Sequence, residues 1–295
     1  MATAVTNTTI NTTSMFNTPQ AVDDSYTLSE DAVVNGSGSG SGWTYSGGIL
    51  TMDVMANDLG GSAKQLWSVT DQENSGPITY NSVELADLVS QDANGTWESA
   101  NPGAQVRLQD GKLQYQMSDA LRATIDKLGA GETYTDVISY AIRLANGTLS
   151  VAEVKITIVG MNDAPEAADA TKAGSEDATI TGTVTSTDKD DGASASYSVV
   201  GTPPAGFALN ADGSYSLDAS DAAYQHIAAG EHQDVVVTYQ VADGKGGTDT
   251  ATLTITVNGV NDAPEAADAT KAGSEDTTIT GTVTSTDKDD GASAS

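Results

Sequence analysis

Apolar and polar residues alternate along several segments of the chain with the two-residue period of a β-strand. Residues 250–257 read Thr-Ala-Thr-Leu-Thr-Ile-Thr-Val, and residues 235–241 form a run rich in β-branched side chains. Between them, residues 243–247 read Asp-Gly-Lys-Gly-Gly, a composition typical of a hairpin turn. Residues 136–144 and 149–159 repeat this pattern around a second glycine-containing turn. These segments predict antiparallel strand pairs.

One segment has helical character. Residues 118–128 begin with a serine suited to an N-cap and continue with helical spacing of apolar residues, and residues 220–229 are a shorter counterpart. The glycine- and serine-rich stretch 35–48 resembles a phosphate-binding loop in composition, but it lacks the lysine and the following helix. It is therefore predicted to be a flexible loop. Each domain is predicted to be an all-β sandwich of about seven strands with a short helical turn.

A long internal repeat sets the domain organisation. Residues 162–196 return as residues 261–295 with a single change, Ala178 to Thr277. The spacing between the copies is the size of one β-sandwich domain. A more divergent copy precedes them, because Ser-Glu-Asp at 29–31 parallels Ser-Glu-Asp at 175–177.

The predicted domain map follows from this repeat. It consists of a polar N-terminal tail at 1–20, a divergent domain with insertions at 21–161, a repeat at 162–260, and the start of the next, nearly identical repeat at 261–295. The tail is expected to be disordered or to add as a strand to a neighbouring sheet edge. Because the last repeat is incomplete, we expect the chain to be part of a longer protein.

Composition narrows the classes of partner. The chain carries 41 acidic and 12 basic residues, a net charge of −29, which disfavours nucleic acid and anionic membrane surfaces. The absence of cysteine excludes disulfides and thiolate metal sites. No apolar stretch approaches the roughly 20 residues of a membrane span. The first twenty residues do not have the pattern of a Sec signal peptide, so we expect export by a route that does not read the N-terminus.

Carboxylates recur in three kinds of motif. Ser-Glu-Asp lies early in each domain, Thr-Asp-Lys-Asp-Asp-Gly follows at 187–192 and 286–291, and Asn-Asp-Ala-Pro marks the junctions at 162–165 and 261–264. Like charges at this density repel one another unless they converge on a cation. Hard divalent cations prefer oxygen ligands, and a structural metal stabilises small domains that have no disulfides. The motifs therefore predict divalent cation sites.

In order and spacing, these motifs resemble those of cadherin-type domains. The chain is most similar to the VCBS, cadherin-like repeats of large bacterial RTX-type adhesins that leave the cell by type I secretion. The resemblance covers residues 21–295 and is strongest from residue 162 onward. It implies tandem cadherin-like or Ig-like β-sandwich domains joined by short, acidic, calcium-binding linkers.

The resemblance also implies a ligand set for Ca²⁺ at each domain junction, drawn from the upper domain, the linker and the lower domain. For the first junction the implied ligands are Glu30, Glu132, Asn162, Asp163, Asp188, Asp190 and Asp243. For the second junction they are Glu176, Glu231, Asn261, Asp262, Asp287 and Asp289. Alanine stands at 164 and 263, where cadherins have a second asparagine, which implies one or two ions per junction.

The function implied is that of a non-enzymatic structural repeat region in a secreted bacterial surface adhesin. Calcium would make it rigid, and it would support cell attachment and biofilm formation through cell-surface or extracellular ligands. An alternative is a self-assembling extracellular filament or surface-layer protein, a homopolymer formed through the N-terminal domain. A third alternative is an enzyme that carries sandwich repeats. Against it, the chain has no cysteine nucleophile and no Ser-His-Asp arrangement that recurs between domains.

Overall fold

The computed structural model describes residues 21–59, 61–71, 87–100 and 102–289. The N-terminal tail, for which strand donation is predicted, lies outside the described residues. The chain divides into two compact units, Met1–Asn162 (unit 1) and Asp163–Ser295 (unit 2). Each is built from β-strands around its own hydrophobic core, which confirms the all-β sandwich fold.

Unit 1 contains two packed sheets in its described part. Its elements are β1 (Asp24–Ser29), α1 (Glu30–Val34), β2 (Ser37–Gly40), β3 (Trp43–Ser46), β4 (Ile49–Met52), a 3-10 turn (Gly61–Ala63), β5 (Gln65–Asp71), β6 (Glu98–Ser99), β7 (Ala104–Gln109), β8 (Lys112–Met117), α2 (Asp119–Ile125), β9 (Thr133–Arg143) and β10 (Leu149–Val159). The strand orders are β1-β10-β9-β5 and β2-β3-β4-β8-β7-β6.

Unit 2 repeats this plan with fewer additions. Its described strands are β11 (Glu166–Ala167), β12 (Ala170–Ser175), β13 (Thr179–Thr183), β14 (Ser186–Thr187), β15 (Ser196–Val199), β16 (Phe207–Leu209), β17 (Ser214–Asp218), β18 (His232–Ala242), β19 (Thr248–Asn258), β20 (Glu265–Ala266) and β21 (Ser285–Thr286). The main sheets have the orders β12-β19-β18-β15 and β13-β17-β16, and two short pairs, β11-β14 and β20-β21, accompany them.

Strand register shows that the two units share one architecture. The first strand runs parallel to the last long strand in both, with Asp24 opposite Val154 in unit 1 and Ala170 opposite Leu253 in unit 2. The long hairpins β9-β10 and β18-β19 are the strand pairs predicted from alternation. In β10, β18 and β19 the buried residues stand at every second position, whereas β9 is buried continuously over 138–142. Each fully buried aliphatic side chain contributes about 1.5–3 kcal/mol to folding.

The predicted helix is confirmed as α2, with the Ser118 side chain accepting a hydrogen bond from the backbone N–H of Leu121 at 3.2 Å. Its shorter counterpart in unit 2 consists of turns and no helix. The prediction of a flexible loop at 35–48 is wrong, because this stretch forms the antiparallel pair β2-β3.

Trp43 explains why a glycine- and serine-rich segment forms strands. Its side chain is partly buried against the core of unit 1. A Cβ at Gly40 would lie 2.9 Å from Cζ2 of Trp43, and a Cβ at Gly38 would lie 3.5 Å from the same ring. The glycines therefore leave the space in which the indole lies across the hairpin, a close approach that residues with side chains would prevent.

Residues 261–289 adopt only the short pair β20-β21 in the described part of the chain. Ile279 and Val283 are 54% and 81% exposed, whereas the equivalent Ile180 and Val184 of the preceding repeat are 4% and 1% exposed. The difference has a plain cause: Ile180 lies on β13, which pairs with β17, and no strand equivalent to β17 pairs with the described residues after 261.

Candidate metal centre

In unit 1, Glu30 begins helix α1 and is buried. Its Oε2 accepts a hydrogen bond of 2.9 Å from the backbone N–H of Met161, close to the end of the unit. One carboxylate oxygen of Asp126 lies within 4.8 Å of a carboxylate oxygen of Glu30. Asp126 is the C-cap of α2 and was not among the predicted ligands. The strand order brings these two acidic side chains together although they are far apart in sequence.

Glu132 and Asn162 complete the predicted ligands of unit 1. Glu132 is exposed, and its Oε2 accepts a hydrogen bond of 3.1 Å from the backbone N–H of Gly129, so its carboxylate closes a local turn. Asn162 is the last residue of the unit and is half-buried. Of the two, Asn162 has its side chain oxygen buried from solvent.

The first residues of unit 2 carry the linker and the Asp-Lys-Asp loop. Asp188 Oδ1 accepts a hydrogen bond of 3.0 Å from the backbone N–H of Asp190, and the Asp190 carboxylate accepts one from the backbone N–H of Asp163. Lys189 Nζ lies 3.9 Å from Asp163 Oδ2. Burial raises the pKa of Asp190, and the neighbouring carboxylates of Asp188 and Asp163 raise it further. Three predicted ligands are thus gathered in one loop region.

Asp243 has a defined structural role at the end of β18. Its Oδ1 accepts hydrogen bonds from the backbone N–H groups of Lys245, Gly246 and Gly247 at 2.7, 2.9 and 3.0 Å. A Cβ at Gly247 would lie 2.8 Å from the Cα of Ala164, so this turn packs directly against the linker. Asp243 therefore shapes the turn beside Asp163 and is itself buried.

The second predicted junction lies wholly within unit 2. Glu176 is buried and its Oε1 accepts a hydrogen bond of 2.5 Å from the backbone N–H of Val260, as Glu30 does from Met161. Its Oε2 is buried and receives no hydrogen bond from the described residues. Glu231 is exposed, and a backbone hydrogen bond from Glu231 N–H to the Ala228 oxygen shapes its turn.

The linker and loop of the second junction reproduce those of the first. Asp289 Oδ2 accepts a hydrogen bond of 3.1 Å from the backbone N–H of Asp262, and Asp287 Oδ1 accepts one of 3.2 Å from the backbone N–H of Asp289. Lys288 Nζ lies 3.8 Å from Asp262 Oδ1. Asn261 is exposed and its side chain Nδ2 donates to the Asp262 carbonyl oxygen at 2.7 Å.

The position equivalent to Asp126 differs in unit 2. The 99-residue repeat places Gln225 there, and its Oε1 accepts a hydrogen bond of 3.2 Å from Lys288 Nζ. Among the described residues of unit 2, no three acidic or histidine side chains bring ligand atoms within 4.8 Å of one another. An amide bonded to a lysine thus replaces a carboxylate in the second repeat.

The chemistry of these residues fits a hard cation. Buried carboxylate oxygens without a hydrogen-bond donor among the described residues include Glu176 Oε2, Asp190 Oδ1, Asp262 Oδ2 and Asp289 Oδ1. Burying a charged oxygen without a partner is unfavourable, and an ion coordinated by oxygen would remove that cost. Each of these carboxylates is fixed in position by a hydrogen bond to its other oxygen or by the loop that carries it. The four oxygens without a donor are therefore held in place as well.

Asp126, which lies close to Glu30, was not predicted from the sequence. No repeated motif marks it, because its counterpart is Gln225. The only sequence signal is its place at the end of the predicted helix 118–128, in the turn that leads to β9. In the described part of the chain, no helix is both long enough and apolar enough to cross a bilayer.

Comparison with known proteins finds a family similarity in the second repeat. Residues 162–259 match the family model of the bacterial cadherin-like domain. This supports cadherin-like repeats, and the match spans almost the whole of the predicted domain 162–260. A search of curated protein sequences finds no match.

Solved cadherin structures share a low overall similarity with the chain. Extracellular domains 1–4 of protocadherin gamma B7 are 14% identical, with 92% of this chain and 60% of that chain covered and a TM-score of 0.38. Domains 1–2 of human mucin-like protocadherin are 15% identical, covering 81% and 97%, with a TM-score of 0.40. Domains 21–23 of human CDH23 are 15% identical, covering 91% and 79%, with a TM-score of 0.42.

Proposed function

We propose that this chain is a calcium-stiffened structural repeat region of a secreted bacterial surface adhesin. The observation that carries the proposal is the set of buried junction carboxylates, each held by a backbone hydrogen bond or a loop, whose second oxygen faces no donor among the described residues. The family match at residues 162–259 supports it, because cadherin-like domains are adhesive and structural modules of extracellular proteins. It also supports a role without enzymatic chemistry.

At the first junction, Glu30 and Asp126 would supply ligands from unit 1, with Asn162 at its end. Asp163, Asp188 and Asp190 would supply ligands from the linker and the loop that follows it. At the second junction the corresponding groups are Glu176 on one side and Asp262, Asp287 and Asp289 on the other. The ion would supply positive charge that several carboxylates share, and binding would fix the angle between consecutive domains.

Export, attachment and biofilm formation belong to the same proposal. Extracellular calcium modules bind with dissociation constants of about 10⁻⁴–10⁻³ M, which suits extracellular fluid and not the cytosol. A chain that calcium stabilises would be less stable in the calcium-poor cytosol and would gain stability after export. Type I secretion, VCBS-type repeats, a cell-surface location and self-association or binding of extracellular ligands are all compatible with this sequence.

The test is thermal unfolding of the whole chain in calcium and in chelator, combined with calorimetric titration of Ca²⁺. We expect a higher unfolding temperature in millimolar calcium and saturable binding at one or two ions per junction. A chain that unfolds at the same temperature in both conditions and takes up no calcium would contradict the proposal. Titration with Mg²⁺ is the control, because Mg²⁺ keeps its waters and fits all-protein oxygen sites poorly.

A further inference from the structure

The hydroxyl of Tyr140 lies at the start of unit 1, away from the predicted calcium ligands, and has more acceptors than it can satisfy. Four oxygens surround it: Val22 O at 3.1 Å, Asp24 Oδ2 at 3.0 Å, Val54 O at 3.0 Å and Asp58 Oδ1 at 3.3 Å. A phenol has one hydrogen to donate. With both carboxylates ionised, at least three of these oxygens would lack a hydrogen from Tyr140, which is itself fully buried.

Asp58 adds a further buried oxygen that lacks a hydrogen-bond donor among the described residues. It is 6% exposed, and its Oδ1 also accepts a hydrogen bond of 2.6 Å from the backbone N–H of Val22. Its Oδ2 receives no hydrogen bond from the described residues. The two backbone groups of Val22 are therefore both held by this cluster, the N–H by Asp58 and the carbonyl by Tyr140. The cluster is one of the attachments of residues 21–24 to unit 1, beside the hydrogen bonds from Ala21 to Ser150 and from Asn57 to the carbonyl oxygens of Val22 and Asp23.

In unit 2, the acceptors of the equivalent tyrosine hydroxyl are carbonyl oxygens and not carboxylates. Tyr239 is equivalent to Tyr140, and its hydroxyl donates to the carbonyl oxygens of Ala168 and Thr185. The strand register places Ala170 where unit 1 has Asp24. Tyr239 therefore holds the first strand without a carboxylate hydrogen bond, although burial and the charges of Asp169 and Asp249 raise its pKa. In unit 1, by contrast, Asp24 and Asp58 both accept from the tyrosine hydroxyl.

Other charged and titratable groups surround the cluster on several elements of unit 1. Asp23 precedes β1 and Tyr26 lies on it, whereas Asp53 and Asp58 belong to the loop 53–59. Lys64 precedes β5, and Glu153 lies on β10. Lys64 Nζ donates to the carbonyl oxygens of Met55 and Asp58 at 2.5 and 2.6 Å. It offsets the charge of Asp58, whereas the other neighbours are mostly negative.

We propose that Asp24, Tyr140 and Asp58 form a proton-controlled latch on the first strand of unit 1. When Asp24 carries a proton, its O–H donates to the tyrosine oxygen, and the tyrosine hydrogen goes to one of the remaining acceptors. When Asp24 ionises, two carboxylates face one phenol, the half-buried Asp24 and the buried Asp58, and their repulsion weakens the hold on Val22. Mild acid thus tightens the attachment of residues 21–24, and neutral pH loosens it.

The direction of the pH dependence follows from the environment of Asp24. Burial raises its pKa from the ordinary value of 3.8 to about 6; the hydrogen bond from Tyr140 opposes this rise, and the charge of Asp58 adds to it. The folded protein then binds this proton more tightly than the unfolded chain. Its contribution to stability is complete below about pH 3.8 and is lost as the pH rises through about 6.

The experiment follows unfolding of unit 1 in the full chain by tryptophan fluorescence, in chelator, between pH 4.5 and 7.5. All three tryptophans, at 43, 67 and 97, lie in unit 1, so the signal reports on this unit alone. The unfolding temperature of the original chain is expected to fall by about 5 °C or more over this range. Asp24→Asn, which keeps a donor and removes the charge, is expected to reduce this fall. The control is Asp110→Asn, at an exposed turn whose positive φ asparagine tolerates.

Acidification also weakens the general repulsion within a chain of net charge −29. The test is therefore the difference between the two variants in the pH dependence of the unfolding temperature. Equal pH dependence in Asp24→Asn and Asp110→Asn would overturn the proposal. A direct readout covers the case in which a variant fails to fold: carboxyl-carbon NMR titration of Asp24 in the unaltered chain. A midpoint near 6, with a lower protection factor of the Val22 amide above it after correction for the intrinsic pH dependence of exchange, supports the latch, whereas a midpoint near 4 rejects it.

Discussion

At the scale of single residues, Glu30 in unit 1 and Glu176 in unit 2 occupy equivalent positions. Each is buried, and each accepts a hydrogen bond from the backbone N–H of the residue just before its linker. In both residues this backbone hydrogen bond fixes the orientation of the carboxylate. The side chain is therefore oriented before any ion binds, which lowers the cost of assembling a site.

We predict that Glu176→Gln weakens calcium binding at the second junction. The amide oxygen can still accept from the Val260 N–H, but the negative charge is gone. The calcium-induced rise in unfolding temperature is expected to shrink, and the affinity of one site to fall by about tenfold or more. Glu265→Gln is the matched control, because this glutamate is exposed and lies in the same linker region. Equal calcium titrations for the two variants would contradict the assignment.

A second prediction concerns the position at which the repeats differ. Asp126→Asn is expected to weaken calcium binding at the first junction, because it removes a carboxylate that lies within 4.8 Å of Glu30. Gln225→Asp is expected to strengthen binding at the second junction by adding the missing carboxylate. Calorimetric titration of both variants checks this. The prediction is wrong if the two substitutions leave both sites unchanged, or if Gln225→Asp weakens binding.

At the scale of elements, the clearest constraint is the packing of a tyrosine over a strand glycine. In β13, Gly182 lies opposite Tyr215 of β17, and a Cβ at Gly182 would lie 2.9 Å from Cε1 of the ring. Gly281 occupies the same place in the next repeat, where no atom lies within 4 Å of an added Cβ. The same residue is thus required in one repeat and unconstrained in the other.

We predict that Gly182→Ala destabilises unit 2 by about 1–3 kcal/mol, because the tyrosine must move to admit the methyl group. Gly281→Ala is the matched control and is expected to leave the unfolding free energy of unit 2 unchanged. Denaturant unfolding followed by tyrosine fluorescence or circular dichroism measures both. Comparable losses in the two variants would show that the effect comes from the backbone and not from the ring.

At the scale of the whole molecule, charge opposes compaction. The negative charges of a chain with net charge −29 repel one another, and calcium ions bound as proposed would neutralise carboxylates and link consecutive domains. We predict that calcium narrows the distribution of distances between a label in unit 1 and a label in unit 2. Single-molecule energy transfer in calcium and in chelator measures this distribution. Magnesium at equal ionic strength is the control for screening, and an equal narrowing with magnesium would argue against specific sites.

The sequence alone determined the β-strand pattern, the helix with its serine cap, the repeat and the order of the acidic motifs. These are local properties, since alternation and turn composition depend on neighbours along the chain. The same logic failed at 35–48, where glycines were interpreted as flexibility. The tertiary structure shows that they make room for Trp43, a contact that composition cannot reveal.

Proximity between distant residues was decided by the tertiary structure. Asp126 lies beside Glu30, and the Tyr140 hydroxyl reaches Val22, 118 residues earlier, only because β1 runs parallel to β10 with β9 at its other side. Burial decided which carboxylate oxygens lost their contact with water. Sequence specifies which side chains are present and how strands alternate, whereas strand order fixes which of those side chains share a site.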